Sequence, residues 1–288
     1  MNHTGAKPPP KPKTRAVAII PARYDSIRLP GKALLEIAGR PMICWVVERA
    51  LAARNVDRAI VATDDQRIMD AVRSAGFEGV LTSPQHRSGT DRIAEVAASL
   101  DDADIIVNVQ GDEPLISPET IEQAVARLTA EMSGDTGREK DEVGIVTTWE
   151  VMESVADVVN PDVVKIVVDE NERAVYFSRS PVPYPRDAVR AHGSLDAALA
   201  QDPSLLSKFR KHTGLYVYRR DILLEFTKWP QSELERTESL EQLRALEHGV
   251  AINAIKASTA SIGVDTAEDL KRVRKIVEEE ACSLEYKL

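Results

Sequence analysis

Apolar runs of strand length alternate with helical patterns through the first half of the chain, and this alternation restricts the fold more than any other feature. The runs are AVAII (16–20), RAIVATD (58–64), VLTS (80–83) and DIIVNVQ (104–110). Apolar residues recur at helical spacing in 42–54, 66–76, 91–100 and 117–128. Because strand–helix–strand units connect through right-handed crossovers, we predict an α/β fold whose sheet is mostly parallel and covered by helices on both faces.

The second half changes character, because strand patterns follow one another there without helices between them. They lie at 142–150, 162–170 and 174–179, and another follows at 212–220. The Pro-rich, polar stretch 180–204 predicts a long loop. We therefore expect an antiparallel insertion around 150–220 that covers the active site or pairs two subunits. The remaining patterns predict helices at 221–229, 239–249 and 266–282 and a strand at 251–257.

Composition excludes several classes of protein. The formal net charge is −9 over 288 residues, whereas general nucleic-acid binding needs a basic surface. No apolar run approaches the roughly 20 residues of a membrane span, and the first residues lack the apolar segment of a secretory signal. Residues 1–14 are expected to form a disordered Pro/Lys tail before a single domain at 15–288. Cys44 and Cys282 fit neither a disulfide framework nor zinc spacing, so we expect a cytoplasmic enzyme or binding protein.

The segment that leaves the first strand, PARYDSIRLPGK (21–32), is an irregular loop with three cationic residues. Ligands of parallel sheets bind beyond the carboxyl ends of the strands, which is where this loop begins. Arg23 and Arg28 offer planar forks that suit phosphate oxygens, Lys32 offers a point charge, and Gly31 lets the backbone approach a ligand. We predict phosphate binding, with a merely solvated loop as the alternative. The loop has neither P-loop spacing nor a G-x-G-x-x-G fingerprint.

Three further segments carry polar groups at the same predicted edge. Asp112 in NVQGDEP suits Mg²⁺ as an oxygen ligand, although Gly-Asp is also ordinary turn chemistry. HRSGTDR (86–92) leads into a helix, so its amides and hydroxyls hold a base or ribose, cap the helix through Thr90, or do both. For Asp265 in GVDTAEDL, the residues alone favour helix capping together with Thr266.

Two more patterns have a purely structural interpretation. His212 and Tyr216 share one face of a predicted strand, and each suits a filled core position. The carboxylates of ERTESLEQLR (235–244) are typical of a solvated helix face.

Taken together, these segments resemble the 3-deoxy-manno-octulosonate (KDO) cytidylyltransferase family, also called CMP-KDO synthetases. The resemblance is collinear from about residue 15 to 275 and rests on IIPARYDSIRLPGKAL, GRPMI, IVATDD, HRSGTDRIAEV, NVQGDEP, NPDVVKIV, YFSRSPVPYPR, HTGLYVYRRDIL, TESLEQLRALEHG and GVDTAEDL. It implies a nucleotide-diphospho-sugar transferase fold with a Rossmann-like sheet, Mg²⁺ as cofactor and a homodimer. The family joins CTP to KDO, giving CMP-KDO and pyrophosphate for lipopolysaccharide biosynthesis.

By its motifs the resemblance also assigns residues to roles. The nucleotide group is Pro21, Ala22, Arg23, Lys32, Ser88, Gly89, Thr90 and Arg92. The catalytic group is Arg28, Lys32, Asp112 and Asp265, of which the two aspartates are the Mg²⁺ ligands. The group around the acid sugar is Gln110, Arg179, His212, Tyr216, Glu238 and Gln242. Arg179 is expected to pair with the carboxylate of the sugar.

Alternative functions stay open on the sequence. Sialic acid cytidylyltransferases carry Ser-Lys where this chain has RLPGK, which disfavours them. A preference for the 8-amino relative of KDO is open, because one altered sugar contact changes specificity by about 1–3 kcal/mol. A non-catalytic nucleotide-sugar binding protein has no need of the metal ligands and the phosphate-binding cations, which argues against it.

Overall fold

The computed structural model describes residues 14–25, 29–134 and 143–285. The tail before residue 14 and Arg28 lie outside the described residues. The strands are β1 (Ala16–Ala22), β2 (Glu36–Ile37), β3 (Arg40–Pro41), β4 (Arg58–Thr63), β5 (Glu78–Leu81), β6 (Ile105–Asn108), β7 (Val143–Val151), β8 (Lys165–Val168), β9 (Ala174–Ser178), β10 (Arg210–Arg219) and β11 (Ala251–Lys256). The helices are α1 (Met42–Ala52), α2 (Gln66–Ser74), α3 (Gly89–Ala98), α4 (Pro118–Ser133), α5 (Val155–Val159), α6 (Arg186–His192), α7 (Leu195–Gln201), α8 (Arg220–Phe226), α9 (Glu233–Glu238), α10 (Gln242–Glu247) and α11 (Ala267–Glu285).

One large sheet organises the described residues, and β1 lies inside it between β6 and β4. Its strand order is β11-β7-β10-β6-β1-β4-β5, and β8 and β9 attach beside β10. β1 pairs in parallel with β4 and β6, and β4 pairs in parallel with β5. The parallel half of the sheet and its crossover helices confirm the prediction from the alternating pattern.

Helices cover both faces of this sheet, so the core has two apolar layers. Ala18 and Ile20 of β1 belong to the layer that includes side chains of α1 and α4. Val17 and Ile19 belong to the opposite layer, which includes side chains of α3, α8 and α10. Alternate residues of a strand point to opposite faces, and a strand buried on both must therefore be continuously apolar.

The antiparallel strands of the second half belong to the same sheet. β10 runs antiparallel between β6 and β7, and β11 pairs in parallel with β7. The β8–β9 hairpin joins through one residue pair between β8 and β10. The predicted strands are therefore present, and they extend the parallel part of the sheet, β6-β1-β4-β5, on its β6 side.

The stretch 180–204 is not a long loop, because α6 and α7 occupy much of it. Ser194 caps α7 by accepting a hydrogen bond from the backbone of Ala197, and α6 ends at Gly193 in a left-handed conformation with φ 85°. Leu199 is buried against Phe209 in a small separate core. The Pro and polar content hid these helices, because each is only seven residues long. None of the helices in the described part of the chain has the length and apolar character needed to cross a membrane.

Candidate active site

A cleft of about 350 Å³ lies where β1 and β6 end, at the sheet edge predicted to bind a ligand. Its lining comes from the three segments singled out in the sequence around this edge. The lining residues are Pro21, Ala22, Arg23, Asp25, Lys32, Ala33, Arg87, Ser88, Gly89, Arg92, Gln110, Gly111 and Asp112. Nine of these were predicted site residues, so the predicted segments do come together at one cleft.

The loop after β1 folds back over this cleft through a tight turn. Gly31 adopts φ 67° and donates its backbone N–H to the carbonyl of Tyr24 at 3.0 Å. A Cβ at Gly31 would stand 3.2 Å from the Tyr24 ring, so both the conformation and the space favour glycine here. The turn brings Lys32 to the same cleft as Arg23, whose Nη2 donates to the carbonyl of His86.

Lys32 lies between the two predicted metal ligands. Its Nζ donates to Oδ2 of Asp112 at 2.6 Å and to Oδ1 of Asp265 at 3.1 Å. The backbone N–H of Val264 also donates to the carbonyl of Asp112 at 2.8 Å, which ties the two turns together. Burial alone would lower the pKa of Lys32, but the neighbouring charge and hydrogen bonds of Asp112, followed by those of Asp265, raise it.

These two carboxylates suit a metal that arrives with a nucleotide. The described residues contain no group of three or more His, Cys, Asp or Glu side chains that could hold a metal by themselves. Mg²⁺ in nucleotide enzymes usually takes one or two carboxylates and completes its shell with phosphate oxygens and water. Asp112 and Asp265 supply that partial donor set, and the ammonium between them shows that a cation is accommodated there.

The segment 86–92 begins α3 differently from the sequence-based expectation. Ser88, not Thr90, is the N-cap, and it forms a capping box with Asp91. Thr90 is buried and donates its hydroxyl to Glu241 at 2.7 Å. Thr90 therefore connects α3 to the turn before α10, and it does not line the cleft. The sequence analysis named Ser88 as a site residue only. The S-x-x-D spacing of Ser88 and Asp91 is the signal that identifies Ser88 as the cap.

A close backbone approach requires glycine at Gly111 of the cleft, whereas a Cβ at Gly89 would stand at an ordinary contact distance. A Cβ on Gly111 would stand 2.7 Å from the carbonyl oxygen of Pro21, and a Cβ on Gly89 would stand 3.4 Å from the Pro21 ring. Real Cβ atoms essentially never come within 3.0 Å of another heavy atom, so alanine at Gly111 would force the end of β1 and the 110–113 turn apart.

Arg92 lines the cleft with a buried side chain. It is fully buried, donates Nη2 to Asp64 at 2.9 Å and donates Nη1 to the hydroxyl of Thr82. Its Nε, also buried, has no hydrogen-bond partner among the described residues. The guanidinium is therefore held by Asp64 and Thr82, while the N–H of Nε is unsatisfied among the described residues.

Some of the predicted sugar residues lie beside an irregularity of β10, where its pairing with β7 shifts register between Thr213 and Tyr216. The Gln110 amide donates to Oδ1 of Asn108 at 3.2 Å and to the carbonyl of Gly214 at 3.4 Å. The His212 and Tyr216 rings lie 5.3 Å apart, so the predicted shared face is present. Burial lowers the pKa of His212 to about 3 and raises that of Tyr216, so both side chains are neutral near pH 7.

Arg179 and Glu238 form a second group, between β9 and α9. The Arg179 guanidinium donates to three backbone carbonyls, those of Glu238 at 2.6 Å, Pro161 at 2.9 Å and Ser239 at 3.3 Å. The Glu238 carboxylate accepts from the Ser178 hydroxyl at 2.7 Å and from the Arg179 backbone at 2.9 Å. Gln242, at the start of α10, is buried. The pairing of Arg179 with a sugar carboxylate stays a prediction.

The interpretation of 235–244 as a solvated helix face is wrong for one pair. Glu235 and Arg244 are buried and form a two-pronged ion pair, with Nη2–Oε1 at 2.6 Å and Nε–Oε2 at 2.7 Å. The sequence held a signal for this local structure, since Ser232 and Glu235 have capping-box spacing and do form that box. Nothing local indicated that Arg244 would fold back onto the cap.

Glu113 is a second residue that the sequence reasoning missed. Burial, and then the charge of Asp112, raise its pKa to about 7. Two adjacent acidic residues at a strand end were the available signal, because neighbouring carboxylates oppose each other's ionisation.

Comparison with known proteins places the chain in a family. A family model described as Cytidylyltransferase matches residues 17–255. The 3-deoxy-manno-octulosonate cytidylyltransferase of Trichlorobacter lovleyi is 49% identical over 259 residues, which cover 90% of this chain and 97% of that protein. The protein of the same name from Pseudomonas fluorescens is 49% identical over 267 residues, with 90% and 97% covered.

Solved structures agree with these relatives. The structure of CMP:2-keto-3-deoxy-manno-octonic acid synthetase in complex with CTP has a TM-score of 0.79 and 40% identity, and the match covers 93% of this chain and 100% of that one. A 4-diphosphocytidyl-2C-methyl-D-erythritol synthase from Anaerococcus prevotii shares the fold at a TM-score of 0.57 and 15% identity, with 92% and 97% covered. On sequence identity, coverage and fold, this chain belongs to the 3-deoxy-manno-octulosonate cytidylyltransferase family.

Proposed function

We propose that the protein transfers the cytidylyl group of CTP to KDO, which gives CMP-KDO and pyrophosphate. The observation that carries this proposal is the convergence of Asp112, Asp265 and Lys32 at one edge of the nucleotide-type cleft. Carboxylates for a divalent ion beside a cation for phosphate oxygens are what nucleotidyl transfer from a triphosphate needs. Family membership supplies the identity of the base and the sugar.

In this mechanism the chain's residues mainly position the reactants and balance charge. The 2-hydroxyl of KDO attacks the α-phosphorus of CTP in line, and pyrophosphate leaves. Lys32, with Arg28 as a further candidate, faces the β- and γ-phosphates and stabilises the negative charge of the departing group. Pro21, Ala22, Ser88 and Gly89 line the cleft at the ends of β1 and α3, where backbone groups hold the nucleotide.

Asp112 and Asp265 would hold Mg²⁺, which when bound neutralises phosphate charge and makes a coordinated hydroxyl more acidic. Before that, Lys32 bridges the two carboxylates and offsets one of their two negative charges. Because a metal ion and the ammonium compete for the same carboxylate oxygens, we infer that Lys32 exchanges its carboxylate partners for phosphate oxygens when CTP and metal bind.

The sugar is proposed to lie against β10 and β9. Gln110, His212, Tyr216, Glu238 and Gln242 supply hydroxyl and amide partners, and His212 acts as a neutral hydrogen-bonding group because its pKa is about 3. Arg179 is proposed to face the carboxylate of the acid sugar. We also infer a cytoplasmic homodimer, in which the region around 150–220 pairs two copies.

The direct test is pyrophosphate release by the purified full chain with CTP, KDO and Mg²⁺. We expect release with KDO, none when the metal is chelated, and less with sialic acid or 8-amino-KDO. Greater release with one of those sugars would reassign the substrate. No release with any acid sugar would refute the enzymatic proposal.

Asp112→Asn and Asp265→Asn test the metal assignment. Each should lose about 100-fold or more in kcat, because a metal ligand is removed while the shape is kept. Asp101→Asn is the matched control, since this carboxylate is 96% exposed and lies at the surface beside Arg220. Near-full activity of either active-site variant would contradict its metal role.

A further inference from the structure

Arg87 is a cationic residue of the cleft that has no role among the predicted site residues. It lines the cleft directly before Ser88, the N-cap of α3, and it is exposed to solvent. Among the described residues it has neither a hydrogen bond nor an ion pair. Its guanidinium is therefore available to a ligand of the cleft without the loss of any contact within the protein.

The backbone on both sides of Arg87 is fixed, so its place at the cleft belongs to the fold. α3 begins directly after it with the capping box described above. Before it, Nε2 of His86 is hydrogen-bonded to the Glu95 carboxylate, which also accepts from the backbone of Ser83 at 3.0 Å. The carbonyl of His86 in turn accepts from Nη2 of Arg23. Arg23, from the loop after β1, and Arg87 thus come to the same side of the cleft.

The lining of the cleft carries both signs of charge. Its charged members are Arg23, Asp25, Lys32, Arg87, Arg92 and Asp112. Two of these four cations are already held by carboxylates, since Lys32 bridges Asp112 and Asp265 and Arg92 pairs with Asp64. With Asp265 and Asp64 included, four cations face four carboxylates, so the charges of these described residues balance before a ligand binds.

A triphosphate adds negative charge to this balanced cleft, because it stays an anion even when Mg²⁺ is bound to it. Arg23 and Arg87 can meet that charge without breaking an ion pair, because neither has one with a described residue. Asp25 is the lining carboxylate that has no ion pair either, and it opposes the two arginines in part. The unpaired cations of the cleft are therefore the ones that the nucleotide charge engages at least cost.

We propose that Arg87 is a further CTP-binding residue, which forms with Arg23 a cationic rim that attracts the triphosphate. In a protein with a formal net charge of −9, such a rim offsets the general repulsion of an anionic substrate. The proposal rests on the function proposed above and deepens it. It makes the charge of the phosphates, and not the base, the property of CTP that Arg87 recognises.

The test measures the affinity of the purified full chain for CTP by calorimetric titration with Mg²⁺ and without sugar. Arg87→Gln should weaken CTP binding about fivefold at low salt, and Arg87→Glu should weaken it further by a similar factor, because a carboxylate repels the phosphates. At about 0.5 M salt the loss should shrink to within about twofold, since exposed charges are screened. The affinity for cytidine, measured by displacement of labelled CTP, should stay unchanged in both variants.

Arg73→Gln is the matched control, because it makes the same change in net charge. Arg73 is exposed and lies in the last turn of α2, which runs from the end of β4 toward the opposite edge of the sheet. This variant should bind CTP as the unmodified protein does. A loss equal to that of Arg87→Gln would mean that only the net charge matters, and it would refute the rim.

Unchanged CTP affinity in both Arg87 variants would overturn the proposal, as would a loss that does not depend on salt. An equal loss for CTP and cytidine would also overturn it, because Arg87 would then contact the base or the ribose. If the unmodified protein binds CTP but releases no pyrophosphate with any acid sugar, the proposed transfer fails instead, and the binding comparison still decides the role of Arg87.

Discussion

Arg244→Met should destabilise the protein strongly, because it leaves a buried carboxylate without its cation. The Glu235 and Arg244 side chains are only 3% and 8% exposed, and two short contacts join them. Arg244 also lies over the Phe226 ring, 4.5 Å from its centroid, so methionine can keep part of that packing. Removing one partner of such a buried pair costs about 3–5 kcal/mol.

The assay is urea unfolding of Arg244→Met, Glu235→Met and the double variant. Each single variant should lose about 3–5 kcal/mol, and the double variant should regain most of that loss, since apolar side chains replace both charges. The control is Lys228→Met, whose partner Glu225 is 56% exposed, and an exposed pair contributes about 0–1 kcal/mol. A single-variant loss below about 1 kcal/mol, or no recovery in the double variant, would refute the reasoning.

The same pair predicts a dependence on pH. Burial alone would raise the pKa of Glu235, but the hydrogen bonds and charge of Arg244 lower it below its ordinary value. Its contribution to stability is therefore complete above the unfolded pKa of about 4.3 and is lost as the pH falls through the lower folded value. The stability that Arg244→Met loses relative to the unmodified protein should be nearly constant from pH 8 to 6. This loss should become smaller when the medium is acidic enough to protonate Glu235.

Three further outcomes are expected. Lys32→Met should bind Mn²⁺ more tightly than the unmodified protein when no nucleotide is present, because the competing ammonium is gone; weaker or equal binding in a titration followed by electron paramagnetic resonance would contradict this. Gly111→Ala should cost about 1–3 kcal/mol and raise the KM for CTP, because its Cβ would stand 2.7 Å from the Pro21 carbonyl, whereas Gly263→Ala has open space and should leave stability unchanged. His212→Gln should reduce the stability that is lost between pH 7 and 5. The reason is that the unfolded histidine, with a pKa of about 6.5, binds a proton in this range, whereas the folded one, with a pKa of about 3, does not. The same dependence of stability on pH in the variant and the unmodified protein would count against this prediction.

Much of the fold and the location of the cleft follow from the sequence by itself. The strand and helix periods of the first half are local properties, and the crossover rule converts them into a parallel sheet with few alternatives. The loop after β1 and the turn that holds Asp112 then have to meet at one edge, because both follow parallel strands. Their convergence at one cleft is therefore the expected result.

The tertiary structure alone decided which side chains became partners. No local period places antiparallel β10, which carries His212 and Tyr216, between β6 and β7. Nor does spacing show that Lys32 bridges Asp112 and Asp265, that Arg244 folds onto Glu235, or that Thr90 reaches Glu241 instead of capping α3. These contacts join residues far apart in the chain, and packing and charge compensation select them only once the elements have come together.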